Sequence, residues 1–224
     1  MKKLLLLSLL VVGGVSYAQT QTGAENLYLR TGVNVYSWTE KFTAESNGES
    51  VKVTDGKNDD LGYEFGVEYT HNYNEDLELG LGLLYQRNSK LKEYNAIDDV
   101  KAKINGYDSL PVYLTAKYSF KEFDNGVKPY VKGNLGYAFN FNEKDANFKS
   151  EGESFSYKLK VDNGLYLAFG GGVEYNNITV DLMYQYSDQK AHLSYNDGED
   201  SGKTGKSGFS NGKVTLGVGY KFNY

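Results

Sequence analysis

The chain has 224 residues, a formal net charge of −5 and no cysteine. The absence of cysteine excludes a disulfide framework and thiol chemistry, and the negative charge argues against nucleic acid as a partner. Glycine (26) and tyrosine (21) are abundant, but there are only 2 prolines, which favours a chain made mostly of paired strands. The mean hydropathy of −0.55 is too low for a bundle of membrane-spanning helices.

The first segment along the chain is a predicted secretory signal peptide, residues 1–18. A basic start, Met1-Lys2-Lys3, precedes the apolar run Leu4–Val12, and Ser16-Tyr17-Ala18 has the small-x-Ala form of a cleavage site. The apolar run is too short to cross about 30 Å of hydrocarbon as a helix. We therefore expect export and a mature domain at 19–224; an uncleaved anchor is the alternative.

Eight segments then alternate apolar and polar residues, which is the pattern of strands. In the last of them, Val214, Leu216 and Val218 share one face, and the other face is small or charged. A membrane barrel has this pattern, with its apolar face toward lipid and its polar face toward a narrow lumen; a water-soluble sandwich shares it. The predicted strands are 26–38, 60–71, 77–88, 109–120, 129–141, 164–175, 178–188 and 213–224.

The connections between these strands alternate in length. They are short at 72–76, 121–127 and 176–177 and long at about 39–59, 89–108, 142–163 and 189–212. Short periplasmic turns and long external loops are typical of outer-membrane barrels. We interpret the long connections as polar loops. Their acidic and basic residues are interspersed along the sequence, which predicts no basic patch for a polyanion.

Aromatic residues provide a second indication of a membrane barrel. Amphipathic rings collect at the two membrane interfaces, and the predicted strands carry such rings near both ends. On the long-loop side these are Trp38, Tyr63, Tyr85, Phe139, Phe141, Tyr184 and Tyr186. On the short-turn side they are Tyr69, Tyr118, Phe120, Tyr175, Tyr220, Phe222 and Tyr224.

Taken together, these features resemble the small eight-stranded outer-membrane barrels of the OmpA/OmpX type. The resemblance implies an all-β fold, an eight-stranded antiparallel up-and-down transmembrane β-barrel, in the outer membrane of a Gram-negative bacterium. It also implies a monomer whose partners are outer-membrane lipid, lipopolysaccharide and the barrel-assembly machinery. Gly219, Tyr220, Phe222 and Tyr224 resemble the assembly signal of such proteins, although Gly217 stands where that signal usually has a polar residue.

A polar network is predicted inside the barrel, because eight strands leave room for packed side chains but not for a wide pore. Unpaired charge away from water is costly, so we expect these residues to form ion pairs. In particular, Arg30, Asp181 and Lys221 are predicted to form one cluster. We favour a structural plug over a gate or weak ion path. The predicted lumen residues are Arg30, Glu64, Glu68, Glu78, Lys117, Lys132, Glu174, Asp181 and Lys221.

His192 and Ser194 form the one motif that suggests catalysis. The pair resembles the His-x-Ser motif of outer-membrane lipid A deacylases, which are also eight-stranded barrels. If the seventh strand continues, both side chains face outward, where a base and a hydroxyl could carry out acyl transfer. The eighth strand offers no acidic partner, and we favour a non-catalytic polar loop. No metal or other cofactor is predicted.

The sequence leads us to expect a non-enzymatic outer-membrane barrel that displays four long loops. Loops on a rigid scaffold commonly carry binding functions. The expected role is therefore structural or adhesive, with a possible host or environmental surface ligand. A narrow, low-conductance channel and a lipid A deacylase-like enzyme are the alternatives.

Overall fold

Eight antiparallel strands close into a barrel in the computed structural model. The structure describes residues 23–40, 43–46, 49–52, 58, 60–97, 100–150, 153–196 and 201–223. The predicted signal peptide (1–18) and Tyr224 lie outside these ranges. Among the described residues, no helix is long and apolar enough to cross a membrane. The barrel strands are β1 (Glu25–Thr39), β2 (Tyr63–Asn72), β3 (Leu77–Arg87), β4 (Asp108–Ser119), β5 (Lys128–Phe141), β6 (Gly164–Tyr175), β7 (Ile178–Asp188) and β8 (Asn211–Asn223).

Each barrel strand pairs with its neighbours in the chain, and β8 closes the ring against β1. The predicted all-β, up-and-down barrel is therefore confirmed, and each predicted strand corresponds to one of the eight. The shortest turn, between β6 and β7, is made by Asn176 and Asn177 with φ of 47° and 67°. Two successive positive φ angles suit the twist of a two-residue hairpin, and asparagine tolerates them well.

A β-bulge near the long-loop end of β1 changes which residues face outward. The register of β1 against β8 shifts between Asn34 and Tyr36. Tyr36, which the alternation puts on the lumen side, is instead 63% exposed. The regular alternation predicted along 26–38 therefore fails at Tyr36, because an extra residue in one strand reverses the alternation beyond it. Beyond the bulge, the Trp38 ring lies 6.3 Å from that of Tyr186.

The long connections contain further strands, so the prediction of plain polar loops is wrong. Segments from three of them pair side by side into a seven-stranded sheet beyond the barrel, which we call the long-loop sheet. The first long connection forms a separate hairpin, Thr43–Ser46 with Glu49–Lys52. The strands of the long-loop sheet are Tyr94–Ile97, Val100–Ile104, Ala146–Ser150, Glu153–Val161, Lys190–Asn196, Ser201–Lys203 and Ser207–Gly208.

The long-loop sheet has its own apolar core, separate from the polar lumen. Tyr107 lies at the boundary: its hydroxyl donates a hydrogen bond of 3.0 Å to Gln189, and burial raises its pKa above the ordinary tyrosine value. Buried apolar side chains supply most of the stability of a soluble domain. The buried residues of this core are Leu91, Ala102, Ile104, Tyr107, Ala146, Leu159, Val161, Ala191, Leu193 and Phe209.

Candidate functional site: the lumen and the long-loop sheet

Alternation along each strand directs every second side chain, the polar one of each pair, toward the barrel axis. All nine predicted lumen residues are buried or have side chains no more than 15% exposed. All nine form side-chain hydrogen bonds with other inward-facing residues. The side chains are arranged in layers along the axis, from the short-turn end to the long-loop end.

The layer nearest the short turns is an ion-paired cluster of two lysines and two glutamates. Lys117 Nζ lies 3.2 Å from Glu78 and also contacts Glu174. Lys221 Nζ lies 3.0 Å from Glu78 and 3.4 Å from Glu174. The Tyr28 hydroxyl donates a 2.8 Å hydrogen bond to Glu78. Each cation thus contacts both anions, which offsets the cost of removing four charges from water.

The next layer is centred on Arg30. Its guanidinium lies 2.8 Å from Glu68 and 2.8 Å from Asp181. Lys132 Nζ is 3.0 Å from Glu68. The remaining acceptor positions are used by tyrosine hydroxyls, since Tyr113 donates to Glu68 at 2.8 Å and Tyr130 donates to Asp181 at 2.9 Å.

The prediction that Lys221 shares a cluster with Arg30 and Asp181 is wrong. In the register, Lys221 lies opposite Tyr28, whereas Gly219 lies opposite Arg30. Lys221 is therefore two residues closer to the short turns, where Glu78 and Glu174 are its partners. The lack of space beside Asp181 explains why position 217 is a glycine: a Cβ there would lie 2.4 Å from Asp181 Oδ1. A larger residue would displace the carboxylate that pairs with Arg30.

A third layer, closer to the long loops, is built from amides around Glu64. Gln185 Nε2 donates to Glu64 at 3.0 Å and to Thr215 at 3.1 Å. Gln86 Nε2 donates to Glu64 at 3.1 Å. These amides are not among the predicted lumen residues, and neither is Lys213, whose Nζ donates to Asn88 at 3.1 Å. Their positions along the strands could have identified them, because each of them alternates with lipid-facing neighbours.

The space left between the layers is small. A cavity of about 10 Å³ opens between the two ion-paired clusters and is lined by residues of both, including Tyr28, Arg30 and Lys117. A cavity of this size has room for about one water molecule. Across the described part of the lumen, the side chains therefore form a packed, hydrogen-bonded filling.

His192 and Ser194 lie on the outward face of the strand Lys190–Asn196, as the continued alternation predicts. Leu193, between them, is buried in the apolar core. His192 pairs with Lys160 in the register, and Ser194 pairs with Lys158. The His192 Nδ1 atom is buried and has no hydrogen-bond partner within the described part of the chain. A catalytic histidine is usually oriented by such a partner, so the pair lacks one element of that arrangement.

The predicted assembly signal lies on β8, with two of its aromatic rings in contact. The Tyr220 and Phe222 ring centroids are 4.8 Å apart. Gly219 faces the lumen, where an added Cβ would lie 2.6 Å from Thr179 Oγ1. Tyr224, the last member of the predicted signal, lies outside the described residues. The role of these residues in assembly stays a prediction.

Comparisons with known proteins agree with this architecture. A family model described as outer membrane protein beta-barrel domain matches residues 5–222. The uncharacterized protein PM1543 of Pasteurella multocida (strain Pm70) is 31% identical over 179 residues, covering 70% of this chain and 72% of that protein.

Two solved structures share the fold at low sequence identity. The outer membrane protein OprG from Pseudomonas aeruginosa matches with a TM-score of 0.55 and 16% identity, over 92% of this chain and 99% of that one. A major outer membrane protein from Thermus thermophilus matches with a TM-score of 0.52 and 13% identity, over 89% of this chain and 100% of that one.

Proposed function

This chain belongs to the outer membrane protein beta-barrel domain family, and from that premise we propose that it is a closed, non-conducting barrel that presents the long-loop sheet at the bacterial surface. In this proposal the long loops point outward from the cell, as in other outer-membrane barrels. The sheet serves adhesion to a host or environmental surface ligand, and the protein acts as a monomer without enzymatic activity.

The observation that carries the proposal is the sheet formed by the described parts of three long connections. Ten buried apolar residues form a continuous core beneath a sheet contributed by three different connections. A surface that is rigid before binding loses less conformational entropy when a ligand docks. A barrel that served only to stabilise the membrane has no need of such a core above it.

The filled lumen supports the non-conducting part of the proposal. An ion crossing the barrel has to pass the layer of Glu78, Lys117 and Lys221 and then the layer of Arg30 and Glu68. The side chains in both layers are already paired at 2.8–3.4 Å. Breaking a buried pair leaves an uncompensated charge, which is strongly unfavourable.

The test variant has residues 144–162 replaced by a short glycine-containing turn. Bacteria that display either this variant or the wild-type protein are then compared for their adhesion to cultured epithelial cells. The matched control shortens the separate hairpin Thr43–Lys52, which is outside the long-loop sheet. We expect adhesion to fall to the level of cells lacking the protein in the first variant and to persist in the control. Equal adhesion by wild type and both variants contradicts the proposal.

Conductance separates this proposal from the channel alternative. Purified wild-type protein in a planar lipid bilayer is expected to give no recurrent current steps when a transmembrane voltage is applied. Regular steps from the wild-type protein would favour the channel instead.

A further inference from the structure

The outward face of the long-loop sheet carries a concentration of lysines that the linear sequence conceals. Around the strand Lys190–Asn196, the register puts Ser194 between Lys158 and Lys203 in one row. The next row toward the barrel pairs His192 with Lys160. Lys190 follows on the same face in the row below. We call Lys158, Lys160, Lys190 and Lys203, with His192 and Ser194 among them, the lysine face.

These lysines are close together and well exposed. Neighbouring strands are about 4.8 Å apart and alternate residues on a strand about 6.7 Å apart, so a single oligosaccharide headgroup can reach several of them. All four lysines are exposed. Strand pairing thus brings together lysines that are interspersed with acids along the sequence.

Some carboxylates lie beside the lysine face. Asp188 faces outward two residues before Lys190, and the Glu40 carboxylate lies next to Gly208, the register partner of Lys190. Glu143 lies 3.7 Å from Lys160, and Asp162 is occupied by Lys206 at 2.7 Å. Among the described residues, Lys158, Lys190 and Lys203 have no carboxylate within 4.0 Å. The four lysines concentrate positive charge locally on a chain whose net charge is −5, and such a local concentration attracts anions.

The position of the lysine face relative to the membrane indicates which anions it meets. Tyr186, at the end of β7, packs against Trp38 in the aromatic belt of the long-loop side, and such belts lie at the level of the lipid headgroups. Lys190 follows four residues later on the continuing strand, or about 13 Å along it. Its side chain leaves the wall on the same side as Tyr186, away from the barrel axis and just beyond the aromatic belt.

We propose that the lysine face binds the phosphate groups of lipopolysaccharide molecules surrounding the barrel in the outer leaflet. The lysines supply positive charge, and His192 and Ser194 supply hydrogen-bond donors between them. Lipopolysaccharide headgroups extend outward from the membrane at the height of this face. The inference goes beyond the proposed function and does not depend on adhesion: the face would hold the barrel's outer wall to its lipid neighbours.

The test is a binding titration of the purified full-length protein in detergent with phosphorylated lipopolysaccharide. The test variant carries Lys158→Gln, Lys160→Gln, Lys190→Gln and Lys203→Gln. The control carries Lys90→Gln, Lys92→Gln, Lys121→Gln and Lys144→Gln, four exposed lysines that are not members of the face, so the net charge is the same. We expect affinity to fall at least about 100-fold in the test variant, consistent with several lysines acting at an anionic lipid surface, and by less than about twofold in the control.

A second arm uses the same lipopolysaccharide after chemical dephosphorylation, and a third uses a soluble sulfated polysaccharide. We expect wild-type protein to lose affinity for the dephosphorylated lipid by a similar factor. Equal affinity for both lipids overturns the proposal, as does equal weakening in the two variants or binding of the sulfated polysaccharide but not of lipopolysaccharide. Heat-modified mobility on gels establishes that each variant retains its folded barrel.

Discussion

The lumen and the long-loop sheet are two parts of one continuous wall, yet their interiors are opposite in chemistry. Within the barrel, outward residues such as Leu182 are apolar and inward residues such as Gln185 are polar. Beyond Gln189, the same alternation continues with Lys190 outward and Ala191 buried. The same alternate positions still face outward, but the outward face changes from apolar to polar and the inward face from polar to apolar.

The medium outside the wall explains this exchange. Lipid surrounds the barrel, so apolar side chains face outward and the polar residues of each strand are confined to the lumen, where they must pair. Water surrounds the long-loop sheet, so it follows the pattern of soluble proteins, with a polar surface and an apolar core. The exchange around residues 187–190 therefore marks where the wall leaves the membrane.

The largest expected effect comes from removing one charge from the lumen. Arg30→Met leaves Glu68 and Asp181 without their shared partner, with only Lys132 and two tyrosine hydroxyls nearby. We expect the free energy of unfolding to fall by about 3–5 kcal/mol, because the remaining buried charges are uncompensated. Urea unfolding in lipid vesicles, followed by the folded band on unheated gels, measures this loss.

The control for Arg30→Met is a cation on the long-loop sheet. Lys101 pairs with Glu93 at 3.6 Å, and both side chains are about half exposed. We expect Lys101→Met to cost less than about 1 kcal/mol, since water already screens this pair. Equal losses in the two variants would mean that the lumen pairs are no more important for stability than surface pairs.

A smaller and more local effect is expected from the apolar core. Leu159 is 2% exposed, and Leu159→Ala should destabilise the long-loop sheet by about 2–3 kcal/mol through lost burial and an unfilled cavity. The barrel should be unaffected. The expected result is faster trypsin cleavage within the long connections, with an unchanged midpoint of barrel unfolding.

Leu135→Ala is the matched control, because Leu135 is 52% exposed on the outward face of β5. It removes the same atoms from the lipid-facing surface, and trypsin cleavage of the long connections should match the wild type. If Leu159→Ala lowers the barrel midpoint as much as it accelerates cleavage, the two regions unfold as one unit and the comparison fails.

The barrel could be predicted from the sequence because lipid imposes the same requirement on every strand. A residue that faces hydrocarbon must be apolar, so the alternation repeats over all eight strands and their bounds follow closely. The prediction of outward and inward residues fails where the backbone interrupts the regular alternation. The bulge before Tyr36 is one case, since no residue pattern distinguishes it from continued alternation.

The pairing of lumen charges and the long-loop sheet were harder to predict. Parity directs Lys221 inward, but only the register against β1 determines that it meets Glu78 rather than Asp181. The strands beyond the barrel are short. Between Val161 and Leu165 the outward-facing positions change from even-numbered to odd-numbered residues. Long lipid-facing alternation therefore does not extend into these strands, and the lysine face that they form has no such pattern.

The smallest expected effect concerns the deacylase alternative. An enzyme that hydrolyses acyl chains needs its nucleophile where those chains lie, but Ser194 is on the part of the wall where outward residues are polar, eight residues beyond Tyr186 in the aromatic belt. Its register neighbours are Lys158 and Lys203 rather than a carboxylate. We therefore expect the mass of lipid A to be identical in outer membranes carrying wild-type protein, Ser194→Ala or no protein. Loss of one acyl chain with the wild type alone would identify a hydrolase and would show that the lipid reaches beyond the boundary drawn by the exchange of polarity.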